Sequence, residues 1–153
     1  MDEKFIGYLL SESNPIDAGK PKILFDNGHV IRFKSLIQDG NSLNRNKRIY
    51  PTDVISEAIS HEHVVEKMSA NAFLGEMNHP MEKTVERQTF VDGNNASHII
   101  KSVEQRGDCF YGIIETTANQ VGTDYMNMIK YNDLRAAFSM RGLAAMTKKK
   151  FRP

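Results

Sequence analysis

A tight turn at Asn27 and Gly28 constrains the fold of this chain more than any other feature of its sequence. The turn, which also includes Asp26, joins two strand candidates, residues 22–25 and 29–37. Asn-Gly is the strongest short-range signal for a β-hairpin, because both residues tolerate the positive φ angles that a two-residue turn requires. Two strands joined in this way run antiparallel, so the sequence predicts an antiparallel sheet in this part of the chain.

A second turn, at residues 105–108, has the same consequence. It lies between the strand candidates 97–104 and 109–116. The turn contains an Arg-Gly-Asp triplet, but short motifs of this kind often arise by chance, and turn chemistry explains these residues without an adhesion role. The sequence therefore predicts a second β-hairpin.

Two helices are predicted from apolar residues at helical spacing. The first begins near Thr52 or Asp53, either of which can cap it. Its apolar face is made of Val54, Ile55, Ala58, Ile59, Val65 and Met68. The second helix is short, and its apolar residues lie between positions 121 and 129. Its predicted start is at Gly122 or Thr123. We expect such amphipathic helices to cover a sheet.

Further apolar runs at residues 5–10, 72–74 and 136–140 add strand candidates. Several strands joined mainly by hairpins, together with two helices, predict an α+β fold, in which a mainly antiparallel β-barrel or sheet core is surrounded by helices. A doubly wound fold would require strands and helices in regular alternation, and this sequence lacks that alternation.

Length and composition favour a single domain over residues 1–153, whose basic tail, about 147–153, is interpreted as a truncated or processed end. Twenty Lys and Arg residues against nineteen Asp and Glu leave a formal charge of +1, which gives no general attraction to nucleic acid or to an anionic membrane. The single cysteine, Cys109, excludes an intramolecular disulfide and fits a reducing compartment. No apolar stretch is long enough to predict a membrane-spanning helix.

Three residues are candidates for acyl-transfer chemistry, which needs a nucleophile, a base and a group that orients the base. Ser139 follows an apolar run and precedes a predicted tight turn at Arg141 and Gly142, although this pattern alone is more typical of an ordinary strand serine. His79 precedes a proline, which favours a position at the rim of an element, where loop histidines are also common. His98 lies in a predicted strand, where an interior histidine satisfied by the backbone is the alternative.

Five blocks of the sequence, taken in order, resemble the signature blocks of phage prohead core proteases of the T-even type. The blocks are LNRNKRIYP (43–51), GEMNHP (75–80), ASHII (96–100), FYG (110–112) and FSMRGL (138–143). Each block alone is weak, but five in the right order at compatible spacing are specific. The resemblance implies a fold similar to that of the herpesvirus assemblins, which is a compact β-barrel surrounded by helices. It implies Ser139 as the nucleophile and His79 as the base.

The resemblance leaves the third member of the catalytic group open. Assemblins take a second histidine from downstream of their serine, and this sequence has no His, Asp or Glu after Ser139. We favour His98 because it lies in a matching block, although a carboxylate would hold an imidazolium more strongly. The carboxylates that remain possible are Glu76, Asp92 and Asp108. By the same analogy, backbone N–H groups near Arg141 and Gly142 would stabilise the oxyanion, and Met140 replaces the second serine that is common in the family.

The implied function is that of a serine endopeptidase that cleaves scaffold and capsid proteins during prohead maturation, without a cofactor or a metal. The resemblance also implies a homo-oligomer within the prohead core in the host cytoplasm. Relatives often cut after glutamate, which would be read by one of the basic residues Arg141, Arg135 or Lys101.

Three rival interpretations start from other residues. His61 and His63 point about 200° apart on a helix, which is unsuited to a shared metal ion. Cys109 lies in an apolar strand, where an inert thiol is usual. A non-enzymatic capsid scaffold or nucleic-acid-binding module would use the polar loop with Asn44, Arg45, Lys47, Arg48 and Tyr50, although the balanced net charge supports this weakly.

Overall fold

The computed structural model describes residues 8–13, 20–42, 49–76, 93–135 and 138–144, with the backbone alone for 8–13 and 139–144. In these ranges the strands are β1 (Tyr8–Ser13), β2 (Lys22–Asp26), β3 (Ile31–Asp39), β4 (Leu74–Glu76), β5 (Ala96–Arg106), β6 (Cys109–Thr116) and β7 (Ser139–Ala144). The helices are α1 (Thr52–Ile59), α2 (Glu62–Ser69) and α3 (Gln120–Tyr131), with a 3-10 turn at Gly93–Asn95.

The strands form one five-stranded sheet and one two-stranded sheet. The larger sheet has the order β2-β3-β6-β5-β4, and every neighbouring pair in it is antiparallel. The smaller sheet pairs β1 with β7, also antiparallel. The predicted α+β class and the mainly antiparallel sheet are therefore confirmed.

The predicted barrel is wrong for the part of the chain that the structure describes. Closure would require the two edge strands, β2 and β4, to pair with each other, and the observed strand order leaves them at opposite edges of an open sheet. All five residues of β2 are exposed, and its register with β3 shifts between Ile23 and Phe25. Such a bulge twists an edge strand and discourages further pairing. The assemblin-like arrangement stays a prediction.

The first predicted hairpin is present, and its turn is longer than the Asn-Gly pair itself. The Asn27 side-chain oxygen accepts hydrogen bonds from the backbone N–H groups of His29 and Val30, both at 2.9 Å. Gly28 has the positive φ, 85°, that the turn requires. Because the amides of His29 and Val30 bond to the Asn27 side chain, β3 begins at Ile31 rather than at residue 29.

The second hairpin, β5–β6, turns through Gly107, which has a φ of 59°. The carboxylate of Asp108 accepts hydrogen bonds from the Thr52 hydroxyl at 2.7 Å and from the Asn41 side-chain amide at 3.2 Å. The Arg-Gly-Asp triplet thus has a structural role: its carboxylate holds the hairpin turn against the start of α1.

The first predicted helix is two helices, α1 and α2, separated at Ser60 and His61. His61 has extended backbone angles, and its Nδ1 accepts a hydrogen bond from the N–H of His63, which caps the second helix. The predicted common apolar face is also wrong, because Ile55 is buried whereas Val54 and Val65 are exposed.

The core lies between α3 and the large sheet. It is formed by Ile31, Phe33 and Ile114 from the strands and Tyr125, Met126 and Ile129 from the helix. The helix starts at Gln120, before the predicted start, because the side chain of Asn119 caps it by accepting from the N–H of Gly122 at 2.9 Å. A Cβ at position 122 would overlap the backbone of Thr117, so only glycine fits there. This packing fixes Tyr125 above the sheet, next to His98.

Candidate active site

Of the three predicted catalytic residues, His98 is the one whose side chain the structure describes. The residue is 6% exposed and lies in the part of β5 that pairs with β4. The ring tilts against Tyr125 at a centroid distance of 5.5 Å and meets Phe138 edge-on at 5.6 Å. Nδ1 lies 2.8 Å from the hydroxyl oxygen of Ser97. His98 is thus an interior histidine, as the alternative interpretation of the sequence had it, although its polar partner is a side chain.

The strand β4 also lies against the same imidazole. Gly75 is the cross-strand partner of His98, and a Cβ at position 75 would overlap the Nε2 and Cε1 atoms of the ring. A ring that covers a cross-strand glycine in this way fills the space that a side chain would otherwise occupy. The ring is therefore held between Gly75, Ser97 and the two aromatic residues.

Ser139 follows Phe138 directly and is the first residue of β7. The prediction that Ser139 lies near the end of a strand, before a tight turn, is wrong. Arg141 and Gly142 lie within β7, where they pair with Ser11 and Leu10 of β1. A strand, like a turn, can present backbone N–H groups along an edge. The predicted oxyanion role of the N–H groups near Arg141 and Gly142 therefore stays a prediction.

The other members of the predicted site differ in what the structure describes of them. His79 and Asp92 lie outside the described residues. Glu76 ends β4, and its carboxylate accepts a hydrogen bond from the Asn95 side chain at 3.2 Å. Asp108 follows the far end of β5, which places it roughly 25 Å from His98 along the strand at about 3.3 Å per residue. Asp108 is therefore unsuited to orient a base near His98.

The basic residues proposed to read a glutamate are only partly described. Lys101 donates a hydrogen bond to the side-chain oxygen of Asn71, and Arg135 is exposed after α3. For Arg141 the backbone alone is described. The choice among the three stays a prediction.

The residues of the rival sites have other partners. The Cys109 thiol donates to the carboxylate of Asp39 at 3.2 Å, and this hydrogen bond, with burial, raises the pKa of Cys109 and disfavours the thiolate. The rings of His61 and His63 stack at 5.2 Å, so the prediction that they point about 200° apart is wrong, because His61 precedes α2 and does not lie within it. No group of three or more potential metal ligands occurs among the described residues. Residues 43–48 of the basic loop lie outside them. None of the described helices is long and apolar enough to cross a bilayer.

Sequence reasoning missed Ser97 and Gly75 as parts of the environment of His98. Both lie in sequence blocks in which a histidine was the candidate site residue. Ser97 precedes His98 in the sequence, and Gly75 is the partner of His98 in the sheet. Alternation along a strand would place Ser97 on the opposite face from His98, so no sequence signal indicated their contact.

The buried imidazole predicts a pH-dependent stability. Burial lowers the pKa of His98 from 6.5 to about 4, and the facing Tyr125 is neutral throughout this pH range, because burial raises a phenol pKa that is already far above it. Between these two values of the histidine pKa the unfolded chain binds a proton that the folded chain does not. The free energy of unfolding should therefore have its full value above pH 6.5. It should fall by up to about 3 kcal/mol as the pH is lowered toward 4.

Urea denaturation of the wild type and of His98→Gln between pH 4 and 7 measures this effect. The variant should lose most of the histidine-dependent slope, whereas His29→Gln, a change at an exposed position, should keep the wild-type slope. Equal slopes in the wild type and His98→Gln would contradict the prediction.

Comparison with known proteins agrees with the sequence blocks. The sequence model of the family described as prohead core protein serine protease matches residues 9–151. Among solved structures, the bacteriophage T4 capsid assembly protease, gp21, is similar with a TM-score of 0.69 at 21% sequence identity, over 94% of this chain and 86% of that chain. No curated protein matches the chain. At this identity the structural likeness shows the fold, and the family model shows the relationship: the chain belongs to the family of prohead core protein serine proteases.

Proposed function

We propose that this protease is a serine endopeptidase that cleaves scaffold and capsid proteins in the prohead through an acyl-enzyme on Ser139. His79 is the general base, and His98 is the third member that orients it. The family membership and the likeness to a capsid assembly protease support the reaction and the substrate class. We also expect the active form to be a homo-oligomer.

The environment of His98 is the observation that carries this proposal. Its imidazole contacts Phe138, the residue directly before Ser139, and it covers Gly75, four positions before His79. The ring therefore contacts residues that are close in sequence to both the proposed nucleophile and the proposed base.

The mechanism follows from the proton that each group can hold. His79 removes the proton of the Ser139 hydroxyl as its oxygen attacks the scissile carbonyl, and then delivers that proton to the leaving amine. Backbone N–H groups near Arg141 and Gly142 stabilise the tetrahedral oxyanion. Water, activated by the same imidazole, hydrolyses the acyl-enzyme and restores the serine.

A neutral His98 suits the orienting role better than a charged one. His79 becomes an imidazolium during the reaction, and a second positive charge beside it would oppose that step. Because burial lowers the pKa of His98 to about 4, His98 stays neutral at the pH at which a histidine base works. Glu76, at the end of β4, is the remaining described carboxylate candidate for this role.

Covalent labelling tests the proposed nucleophile and base together. A fluorophosphonate should form one adduct, located on Ser139 by peptide mass mapping, and Ser139→Ala should form none. His79→Ala should slow the labelling by roughly 10²- to 10⁴-fold, the usual contribution of a general base. His63→Ala, which changes an exposed histidine, is the matched control and should label at the wild-type rate.

Two results would contradict the assignment. One is an adduct on a serine other than Ser139. The other is a labelling rate that His79→Ala leaves equal to that of His63→Ala, because the nucleophile would then be activated by a different base.

A further inference from the structure

Ser97 is a completely buried serine whose hydroxyl lies 2.8 Å from Nδ1 of His98. Its backbone carbonyl also accepts a hydrogen bond from Thr117 at 3.0 Å, which ties it to the end of β6. A buried hydroxyl beside a buried imidazole forms a strong constraint, because neither group has water as an alternative partner.

A β-bulge creates this contact. Gly75 pairs with His98 and Glu76 pairs with Ala96, so Ser97 is the extra residue of β5 opposite β4. In a regular strand, neighbouring side chains point to opposite faces of the sheet. Ala96, Ser97 and His98 are instead all buried, as expected where a bulge redirects a side chain. The bulge therefore brings the Ser97 hydroxyl into hydrogen-bond contact with the imidazole.

The tautomer of His98 decides what its other nitrogen can do. A neutral imidazole carries one N–H, on either Nδ1 or Nε2. If Nδ1 carries the hydrogen and donates it to Ser97, Nε2 is left as an acceptor beside β4, the strand that leads to His79. If Nε2 carries the hydrogen, it can only donate to a base, and the base nitrogen that accepts it can no longer offer its own N–H.

Only the first tautomer is compatible with the proposed base. His79 must keep one nitrogen free for the Ser139 proton, so its other nitrogen carries the hydrogen and needs an acceptor. We propose that Ser97 is a positioning residue: its hydroxyl oxygen accepts the Nδ1–H of His98 and so leaves Nε2 unprotonated, as the proposed hydrogen bond with His79 requires. This inference rests on the proposed function, because it assigns a task to His98 within it.

Kinetics of four variants test the inference in the full-length protein. Ser97→Ala should lower kcat roughly 10- to 100-fold with little change in KM, which is the scale for partners that fix a histidine tautomer. Ser97→Thr keeps a hydroxyl and should retain most of the activity, whereas Ser97→Val, which has the shape of threonine without the hydroxyl, should not. Ser35→Ala removes another buried serine of the sheet and should leave kcat unchanged.

Nitrogen NMR of the wild-type protein, labelled with ¹⁵N-histidine, shows which imidazole nitrogen of His98 carries the hydrogen. A purely structural role of Ser97 would not fix this tautomer. The His98 signals, identified by their absence from His98→Gln, should show hydrogen on Nδ1. Hydrogen on Nε2, or equal kcat for Ser97→Ala and Ser35→Ala, would overturn the inference. If Ser97→Ala does not fold, the comparison of threonine with valine and the wild-type spectrum still decide the question.

Failure of this inference can be told apart from failure of the proposed function. If Ser139→Ala is inactive while Ser97→Ala is fully active, only the role of Ser97 is wrong. If Ser139→Ala cleaves substrate as well as the wild type does, the proposed function itself is wrong, whatever the behaviour of Ser97.

Discussion

Ser139→Ala should lower kcat for scaffold and capsid peptides by roughly 10⁴- to 10⁶-fold, the loss seen when the nucleophile of a serine peptidase is removed. The reason is that no acyl-enzyme can form without the hydroxyl, so only binding and oxyanion stabilisation remain. Substrate binding should change little, because alanine removes a single oxygen atom. Single-turnover cleavage of a peptide from the capsid protein, followed by mass spectrometry, measures the effect.

A matched control is available in β5. Ser102 is exposed, and Ser102→Ala should cleave at the wild-type rate with the same KM. The proposed nucleophile would be ruled out by a Ser139→Ala protein that is folded and cleaves within tenfold of the control, since such a residual rate exceeds what a site without its nucleophile supports.

Gly75→Ala is expected to have the second large effect, on stability and on catalysis together. The added methyl group would overlap Nε2 and Cε1 of His98 and would lie 2.8 Å from Cδ2. The imidazole has little room to move away, because Tyr125 and Phe138 pack against it and Ser97 bonds its Nδ1. Overpacking of this kind costs about 1–3 kcal/mol, and displacement of a positioning group by about 1 Å can cost on the order of 100-fold in rate.

Thermal unfolding and kcat should be measured for Gly75→Ala beside Gly93→Ala, whose added methyl group meets no atom within 4 Å. The control should differ little from the wild type in either measurement. A double variant, Gly75→Ala with His98→Ala, should recover part of the stability lost in the single variant, because the smaller side chain removes the overlap. Additive losses in the double variant would show that the glycine acts independently of the imidazole.

Local turn chemistry explains why the antiparallel sheet could be predicted from the sequence. The Asn27 side chain bonds the amides of its own turn, and Gly107 takes the positive φ that its turn needs, so both hairpins depend on residues close together in sequence. The open edges of the sheet depend instead on which distant strands pair. Nothing in the sequence of β1 indicates that it pairs with β7 rather than closing a barrel.

The break between α1 and α2 illustrates a second limit. Apolar residues continue at helical spacing past Ser60, and periodicity therefore predicts one helix. The structure instead has His61 extended, with its ring as the cap of the next helix. A histidine is an uncommon cap, so the usual signals of a helix start did not reveal it.

The candidate site, like the fold, could be predicted only in part. The ordered blocks indicated the family, which the family model confirms over residues 9–151. His98 was identified by its block, but its bond to Ser97 depends on a bulge in β5, and a single extra residue does not disturb the hydrophobic pattern enough to be read. The pairing of Ser139 with His79 stays a prediction.

During synthesis on the ribosome, β1 emerges long before β7, its partner in the two-stranded sheet. Ser13 and Ser139 are opposite each other in that pair, and on the order of a hundred residues must be made between them. At the usual rate of translation this takes on the order of 10 s, and the closure of so long a loop follows only afterwards. The strand that begins with Ser139 can therefore reach its register with β1 only after translation has passed it, so the two-stranded sheet is the last of the described sheets to have all its strands available for pairing.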